Sequence, residues 1–291
     1  MARFALALHG GAGAKRSRDY SAEVPHMRGL VEAARDRLAK GDAALDVAVA
    51  TVRALEDSGL YVAGRGASPN LAGDYELDAA IMVGPERHAG AVAALQGFKY
   101  PVEVARLVME KTPHVMLAGE GAARFADNHG CEEIGDVNAW FTRAGQGEDN
   151  HPPGALAHGT VGCVVLDADG QMAAITSTAG VFGKLPGRVG DTPIIGSGCW
   201  CDENIAVSAT GQGEYFMLTA ACAQVGWRVA AGQDPQEAVA AVLEEIGAMG
   251  GDGGLIAVDR EGRIATLYNS EGMKRAVLTT GGDILSSVFD D

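Results

Sequence analysis

His158-Gly159-Thr160-Val161-Gly162 joins a polar loop to an apolar run, and the threonine in it decides how the rest of the chain is read. Cleavage of the backbone before Thr160 would place a free α-amino group beside that residue's own hydroxyl. An α-amine has a pKa near ~8, much closer to neutrality than a lysine, so it can act as a general base at physiological pH. A threonine paired with an N-terminal amine is an activated nucleophile. On its own the same step is also an ordinary strand start.

Upstream of the junction, residues 131–157 lack periodicity and carry Glu148-Asp149-Asn150-His151-Pro152-Pro153-Gly154, the composition expected of a flexible linker. Downstream, Thr160–Leu166 and Gln171–Thr176 are apolar runs joined by Asp167-Ala168-Asp169-Gly170, a hairpin signal. Leu255–Val258 and Ile264–Leu267 repeat that pattern around Asp259-Arg260-Glu261-Gly262. Between the hairpins, one helix is expected over Glu214–Ala231 and another opens at Asp234-Pro235, a cap followed by a first-turn proline.

At the other end of the chain, Phe4–Leu8 reads as a buried strand feeding a turn at His9-Gly10-Gly11-Ala12-Gly13. A helix is expected over Val24–Lys40. Asp42 is placed to cap a second, whose stripe is Leu45, Val49, Val52 and Leu55 and which stops at Ser58-Gly59. A glycine-rich loop over 62–70 precedes paired strands at Glu76–Val83 and His88–Leu95, then helices at Pro101–Lys111 and Val115–Asn128. Strands, helices and strands again, without regular βαβ alternation, argue for an α+β protein with antiparallel or mixed sheets covered by helices, and against a Rossmann sheet. Both sides of the linker are too strand-rich to fold alone, so residues 1–291 are read as one domain.

The chain has 291 residues, 47% hydrophobic and 21% charged, which is a globular composition. A formal charge of −15 disfavours nucleic acid or an anionic membrane as partner. Five cysteines, an odd number in mostly apolar segments, read as reduced buried thiols without metal-ligand spacing. The apolar run after Met1 is shorter than the roughly 7 to 15 residues of a secretory signal, and nothing approaches the ~18 residues of a membrane span. A cytoplasmic location is expected.

Neither GxGxxG between strand and helix nor GxxxxGK[ST] is present, so a phosphate cradle has no support. His9-Gly10-Gly11 could form an oxyanion loop, but the GxSxG elbow that accompanies one is absent. Thr210-Gly211-Gln212-Gly213-Glu214 lies where a strand ending near Ser208 meets a helix, a seat for an oxyanion or carboxylate, or a plain helix-start turn. Arg188 and Asp191, on a loop stiffened by Pro186 and Gly187, could grip the carboxylate and ammonium of an amino acid, or form a surface ion pair. Thr176-Ser177-Thr178 closes the first hairpin at the level of Thr160. His9 and His158, each beside a glycine, read as loop hydrogen-bonders rather than bases.

In order along nearly the whole chain, the His9–Gly13, His158–Gly162, Thr176–Thr178, Leu185–Asp191, Thr210–Glu214 and Gly251–Gly254 strings resemble the isoaspartyl peptidase/L-asparaginase family, the plant-type asparaginases among N-terminal-nucleophile hydrolases. The resemblance implies a four-layer αββα sandwich that cuts itself between Gly159 and Thr160, giving an α subunit of residues 1–159 and a β subunit of 160–291, paired as (αβ)2. It implies that Thr160 is the nucleophile, that Thr178 orients it, and that Thr210 and Gly211 form the oxyanion hole. Arg188 would bind the substrate α-carboxylate, and Asp191, with Gly211 and Gly213, the α-ammonium. The substrates implied are small: isoaspartyl dipeptides and L-asparagine. No catalytic cofactor is implied, but main-chain carbonyls of Leu55, Glu56, Ser58, Tyr61, Ala63 and Arg65 would hold a structural sodium ion. One position departs: the family's Asn-Ala-Gly-x-Gly reads Val62-Ala63-Gly64-Arg65-Gly66 here, and valine cannot hydrogen-bond. A glycosylasparaginase and a catalytically weak amino-acid-binding homologue are the competing expectations.

Overall fold

Alternation along the strands sets the architecture. In the computed structural model, which describes residues 3–142 and 159–290, the first strand, β1 (Ala5–Ala12), turns Leu6 and Leu8 to one face and Ala5 and Ala7 to the other. The same two-sided burial recurs in β5 (Val161–Leu166) and β6 (Met172–Thr178), the expected hairpin. A strand apolar on both faces must be covered on both, which is why these elements lie inside the molecule.

The helices that supply one cover are α1 (Glu23–Leu38), α2 (Ala44–Ser58), α3 (Pro101–Lys111) and α4 (Gly119–Asn128). The strands β2 (Leu77–Gly84), β3 (His88–Leu95) and β4 (Met116–Ala118) lie between them in sequence, and a four-residue helix α5 (Val137–Trp140) follows. After the first hairpin come β7 (Cys199–Cys201), β8 (Ile205–Gly211), α6 (Gly213–Thr219), α7 (Ala221–Ala230) and α8 (Pro235–Ala248). The strands β9 (Gly253–Asp259), β10 (Ile264–Tyr268), β11 (Met273–Leu278) and β12 (Ile284–Ser287) end the chain.

Two sheets result, ordered β12-β11-β1-β5-β6-β2-β3-β4 and β10-β9-β8-β7. All their ladders are antiparallel except β3 with β4. One apolar cluster fills the space between helices α1–α4 and the large sheet, a second joins residues of the two sheets, and a third joins the small sheet to α6–α8. At ~1.5–3 kcal/mol per buried large aliphatic side chain, the first cluster alone, with Leu6, Leu8, Val31, Leu55, Ile81 and Ile175 all inaccessible, fixes the register of the central strands. No helix among the described residues is long and apolar enough to cross a membrane.

Several local expectations give way to distant partners. Strand β1 does not stop at Leu8: it runs to Ala12, with a register irregularity after His9. Asp42 does not cap α2, because it is engaged by Arg37 Nε at 2.7 Å; the amide of Ala44 is met instead by Asp167 Oδ2 at 2.9 Å, from the tip of the β5–β6 hairpin. The helix expected over Val115–Asn128 begins at Gly119, since Ala91 N–H of β3 bonds Val115 O and draws 116–118 into the sheet. The helix expected over Glu214–Ala231 breaks at Ala220, which is left-handed (φ 48°, ψ 48°), while Cys222 and Ala223 amides are captured by the carbonyls of Ser197 and Gly196. Asp234 does cap α8, accepting from Gln236 N–H at 2.9 Å with Pro235 in the first turn.

Of the stretch expected to be a linker, residues 131–142 run over the surface with Phe141 buried. Glu133 bridges Phe98, α5 follows, and Phe141 stacks on Tyr75 with ring centroids 3.8 Å apart. Residues 143–157, and His158 beside them, lie outside the described residues.

Candidate active site

Gly159 and Thr160 lie where the strand ends of both sheets converge. Gly11 of β1 comes so near that a Cβ on it would sit 3.1 Å from Gly159 Cα, and a Cβ on Gly10 would meet the Tyr61 ring at 2.5 Å. Gly10 therefore has no room for a side chain, and Gly11 is both tight and left-handed (φ 105°). The hydroxyl of Thr160 donates to Thr178 Oγ at 3.2 Å, and Thr178 also accepts the Gly180 N–H at 3.0 Å. Both threonines are buried.

His9 is not a loop residue. In phase with Ala5 and Ala7 on β1, it is wholly buried, with Nδ1 3.1 Å from the carbonyl of Thr160 and Nε2 3.0 Å from Ser208 Oγ. A carbonyl only accepts, so Nδ1 carries the proton, and Nε2 faces the Ser208 hydroxyl, which also meets Thr176 Oγ at 2.7 Å. Burial pushes the imidazole down to about 3, although its bond to Thr160 opposes this. Neutral and with both ring nitrogens in hydrogen-bond contact, His9 anchors the backbone of Thr160.

A small pocket is lined by Thr160, Thr178, Arg188, Asp191 and Gly211. Thr210, at the end of β8, is fully buried; its Oγ accepts from Ala12 N–H at 3.2 Å, which leaves its own proton to be donated. Neither Gly211 nor Gly213 could carry a side chain: a Cβ would fall 2.5 Å from Asp252 O in the first case and 2.7 Å from Asp191 Oδ1 in the second. Asp191 itself is buried with Oδ2 unpartnered, as is the Thr192 hydroxyl beside it. Burial pushes Asp191 up to about 7, against the pull of Arg188 and with the help of Glu214 and Asp78. The Arg188 guanidinium is forked onto Glu214, Nε to Oε1 at 3.0 Å and Nη2 to Oε2 at 2.9 Å.

Val62 occupies a telling position. A Cβ on Gly159 would lie 2.3 Å from both Val62 Cβ and Cγ2, so the valine walls the residue before Thr160. Its carbonyl accepts from Ala179 N–H at 2.9 Å, and its side chain belongs to an apolar cluster with Leu77, Phe141 and Ala179.

In the loop expected to hold sodium, the carbonyls of Leu55, Tyr61 and Ala63 each accept from within the loop, from Ser58 Oγ, Ala63 N and Gly66 N. Arg65 O accepts the Thr142 amide at 2.9 Å, while the Thr142 hydroxyl gives its proton to Gly59 O at 2.8 Å. No group of three or more His, Cys, Asp or Glu among the described residues is arranged to hold a metal ion. Glu56 is also fully buried, with Oε1 accepting from Ser177 Oγ at 2.6 Å and from Val102 N–H at 3.2 Å.

Every expected catalytic and substrate-binding residue thus comes to the pocket or directly behind it. Ser208, Thr192 and Glu214 were given no role by sequence, and His9 was read as a hydrogen-bonder but in a loop. The alternation of β1, continued past Leu8, carried the signal for His9; nothing local marked the others.

The pocket thus gathers a buried hydroxyl pair, an arginine and a buried carboxylate with one unpartnered oxygen. The chain belongs to the asparaginase family, whose sequence model matches residues 2–285. It is 42% identical to the isoaspartyl peptidase of Salmonella typhimurium over 95% of both chains. To the isoaspartyl peptidase/L-asparaginase of Bos taurus it is 37% identical, over 95% of this chain and 93% of that one. The plant-type L-asparaginase of Pyrobaculum calidifontis is 39% identical, over 93% of this chain and 95% of its own.

Proposed function

We propose that the protein is an autoproteolytically activated isoaspartyl peptidase and L-asparaginase, an N-terminal-nucleophile hydrolase with the αββα sandwich of that class. The observation that carries this reading is the Thr160–Thr178 hydroxyl pair in one pocket with Arg188 and the unpartnered carboxylate of Asp191. In the continuous chain the nitrogen of Thr160 is an amide and has no basicity. Cleavage after Gly159 releases it as an amine, which takes the proton from Thr160 Oγ as that oxygen attacks the β-aspartyl carbonyl carbon.

Arg188 holds the α-carboxylate and ionised Asp191 the α-ammonium, leaving the side-chain amide over Thr160. Thr178 keeps the attacking oxygen in place. The Thr210 hydroxyl and the Gly211 amide stabilise the tetrahedral oxyanion, each such donor being worth ~3 kcal/mol of barrier. The ammonium formed on Thr160 gives its proton to the leaving amine, and water then hydrolyses the β-aspartyl ester with the same amine as base. Main-chain carbonyls of Leu55, Glu56, Ser58, Tyr61, Ala63 and Arg65 would hold a structural sodium ion, and two αβ pairs would associate as (αβ)2. A cytoplasmic location accords with the reduced cysteines.

Thr160→Ala tests the assignment. The wild-type chain should yield two fragments breaking at Gly159-Thr160 by denaturing mass spectrometry and should hydrolyse β-aspartyl dipeptides. The variant should stay whole and inactive, and cutting or turnover at the wild-type rate by it would overturn the reading.

A further inference from the structure

Beneath the substrate clamp lies a buried charge cluster that the proposed chemistry does not use. Lys184 and Glu76 side chains are 1% and 7% exposed, with Nζ 3.0 Å from Glu76 O and 3.6 Å from Glu76 Oε2. The Glu76 carboxylate also accepts the Gly187 N–H, at 2.9 Å to Oε1 and 3.2 Å to Oε2. Gly187 immediately precedes Arg188, whose own N–H closes a turn onto Leu185 O at 3.0 Å. Asp78, two residues along from Glu76, is fully buried opposite Thr178 in the β2–β6 register and has Oδ2 unpartnered.

An ammonium withdrawn from water is costly, by several kcal/mol, unless charges facing it compensate. Here two carboxylates do, Glu76 and Asp78, and both act on Lys184. Arg188 is the other cation near them and acts on Asp78 too. The two cations share one space: a Cβ on Gly180 would have Lys184 Nζ at 3.3 Å and Arg188 Nη1 at 3.5 Å. With Lys184 removed, Glu76 and Asp78 would draw the guanidinium down between them and away from the pocket. With it present, the acidic cluster is neutralised, the Gly187 turn is fixed, and Arg188 stays at the pocket, where a substrate carboxylate can take the place of Glu214.

We propose that Lys184, held by Glu76, is a positioning residue for Arg188, setting affinity for the substrate α-carboxylate without touching the substrate. The inference rests on the amino-acid clamp of the proposed function, and two readouts separate it from that reading. Calorimetry of L-aspartate, the acyl product, reads the clamp without turnover, while kcat and KM on a β-aspartyl dipeptide read the reaction.

Lys184→Met should raise KM about tenfold and weaken L-aspartate binding to match, with kcat within about threefold. In an Arg188→Ala background the same substitution should change kcat/KM by less than about twofold, because the residue it positions is gone. Glu76→Gln, which keeps an acceptor for the Gly187 amide and nearly the same volume, should raise KM about threefold with the same coupling to Arg188→Ala, and supplies the test if Lys184→Met does not fold. An unchanged KM and L-aspartate affinity in Lys184→Met, a loss confined to kcat, or an equal loss in the Arg188→Ala background would each overturn the proposal. If the wild-type enzyme bound L-aspartate but did not hydrolyse the dipeptide, the proposed reaction would fail while the positioning role could still be measured.

Discussion

Replacing Glu214 by glutamine probes what a substrate must displace. The Arg188 fork is already filled by the Glu214 carboxylate, at 3.0 and 2.9 Å, so capture of a substrate α-carboxylate exchanges one carboxylate for another. The Arg188 side chain is 16% exposed and that of Glu214 51%, which puts the pair near the solvent-screened end of the scale, at ~0.2–1 kcal/mol. Glu214→Gln removes that competitor and should lower KM for a β-aspartyl dipeptide by about 1.4- to fivefold, with kcat unchanged. A second consequence has the same sign. Burial holds Asp191 near 7 with Glu214 as one of the charges that help, and in the proposed clamp Asp191 would bind an ammonium only when ionised. Without Glu214 the Asp191 pKa falls, so the acid-side loss of L-aspartate affinity should move to lower pH. Steady-state kinetics and calorimetry of L-aspartate between pH 5 and 9 read both effects. A KM that rises in Glu214→Gln would refute the exchange, because it would mean that the carboxylate holds Arg188 in its binding pose.

Gly159→Ala places a methyl group 2.3 Å from Val62, so autocleavage should slow by at least about tenfold on a gel time course, and Val62→Gly in the same chain should recover part of it; cutting at the wild-type rate by the single variant would contradict the wall. Glu56 gives a pH test of stability. Burial lifts it from 4.5 to about 8, against its bonds to Ser177 and Val102, so between those values the folded chain holds more protons than the unfolded one. Stability therefore falls as pH rises through this window, by on the order of 3 kcal/mol from Glu56 alone. Urea denaturation of the uncut Thr160→Ala protein at pH 5 and pH 8 should show that loss, and Glu56→Gln should flatten it; parallel curves for the two proteins would dispose of the assigned titration.

Elements whose determinants are local could be read from the chain. The β5–β6 hairpin follows from Asp167-Ala168-Asp169-Gly170, with Asp167 accepting Asp169 and Gln171 amides, and α8 starts where Asp234-Pro235 says it should. The readings that gave way depended on groups far along the chain: Asp167 displacing Asp42 as the partner of α2, and Gly196 and Ser197 breaking the helix at Ala220. The site divides the same way. Thr160, Thr178, Arg188, Asp191 and the Thr210–Gly213 segment stand in short strings, but what orients them does not. His9 reaches Thr160 from 151 residues away, and Glu76 reaches Gly187 across 111. The same interleaving explains how a chain could be cut beside its nucleophile and remain one body. In the large sheet β1 and β2, which precede Gly159, flank β5 and β6, which follow it, in the order β1-β5-β6-β2. The β1–β5 and β6–β2 ladders would therefore run between the two products, the β5–β6 ladder would stay within the second, and breaking the peptide bond would free the amine without removing a strand pairing beneath it.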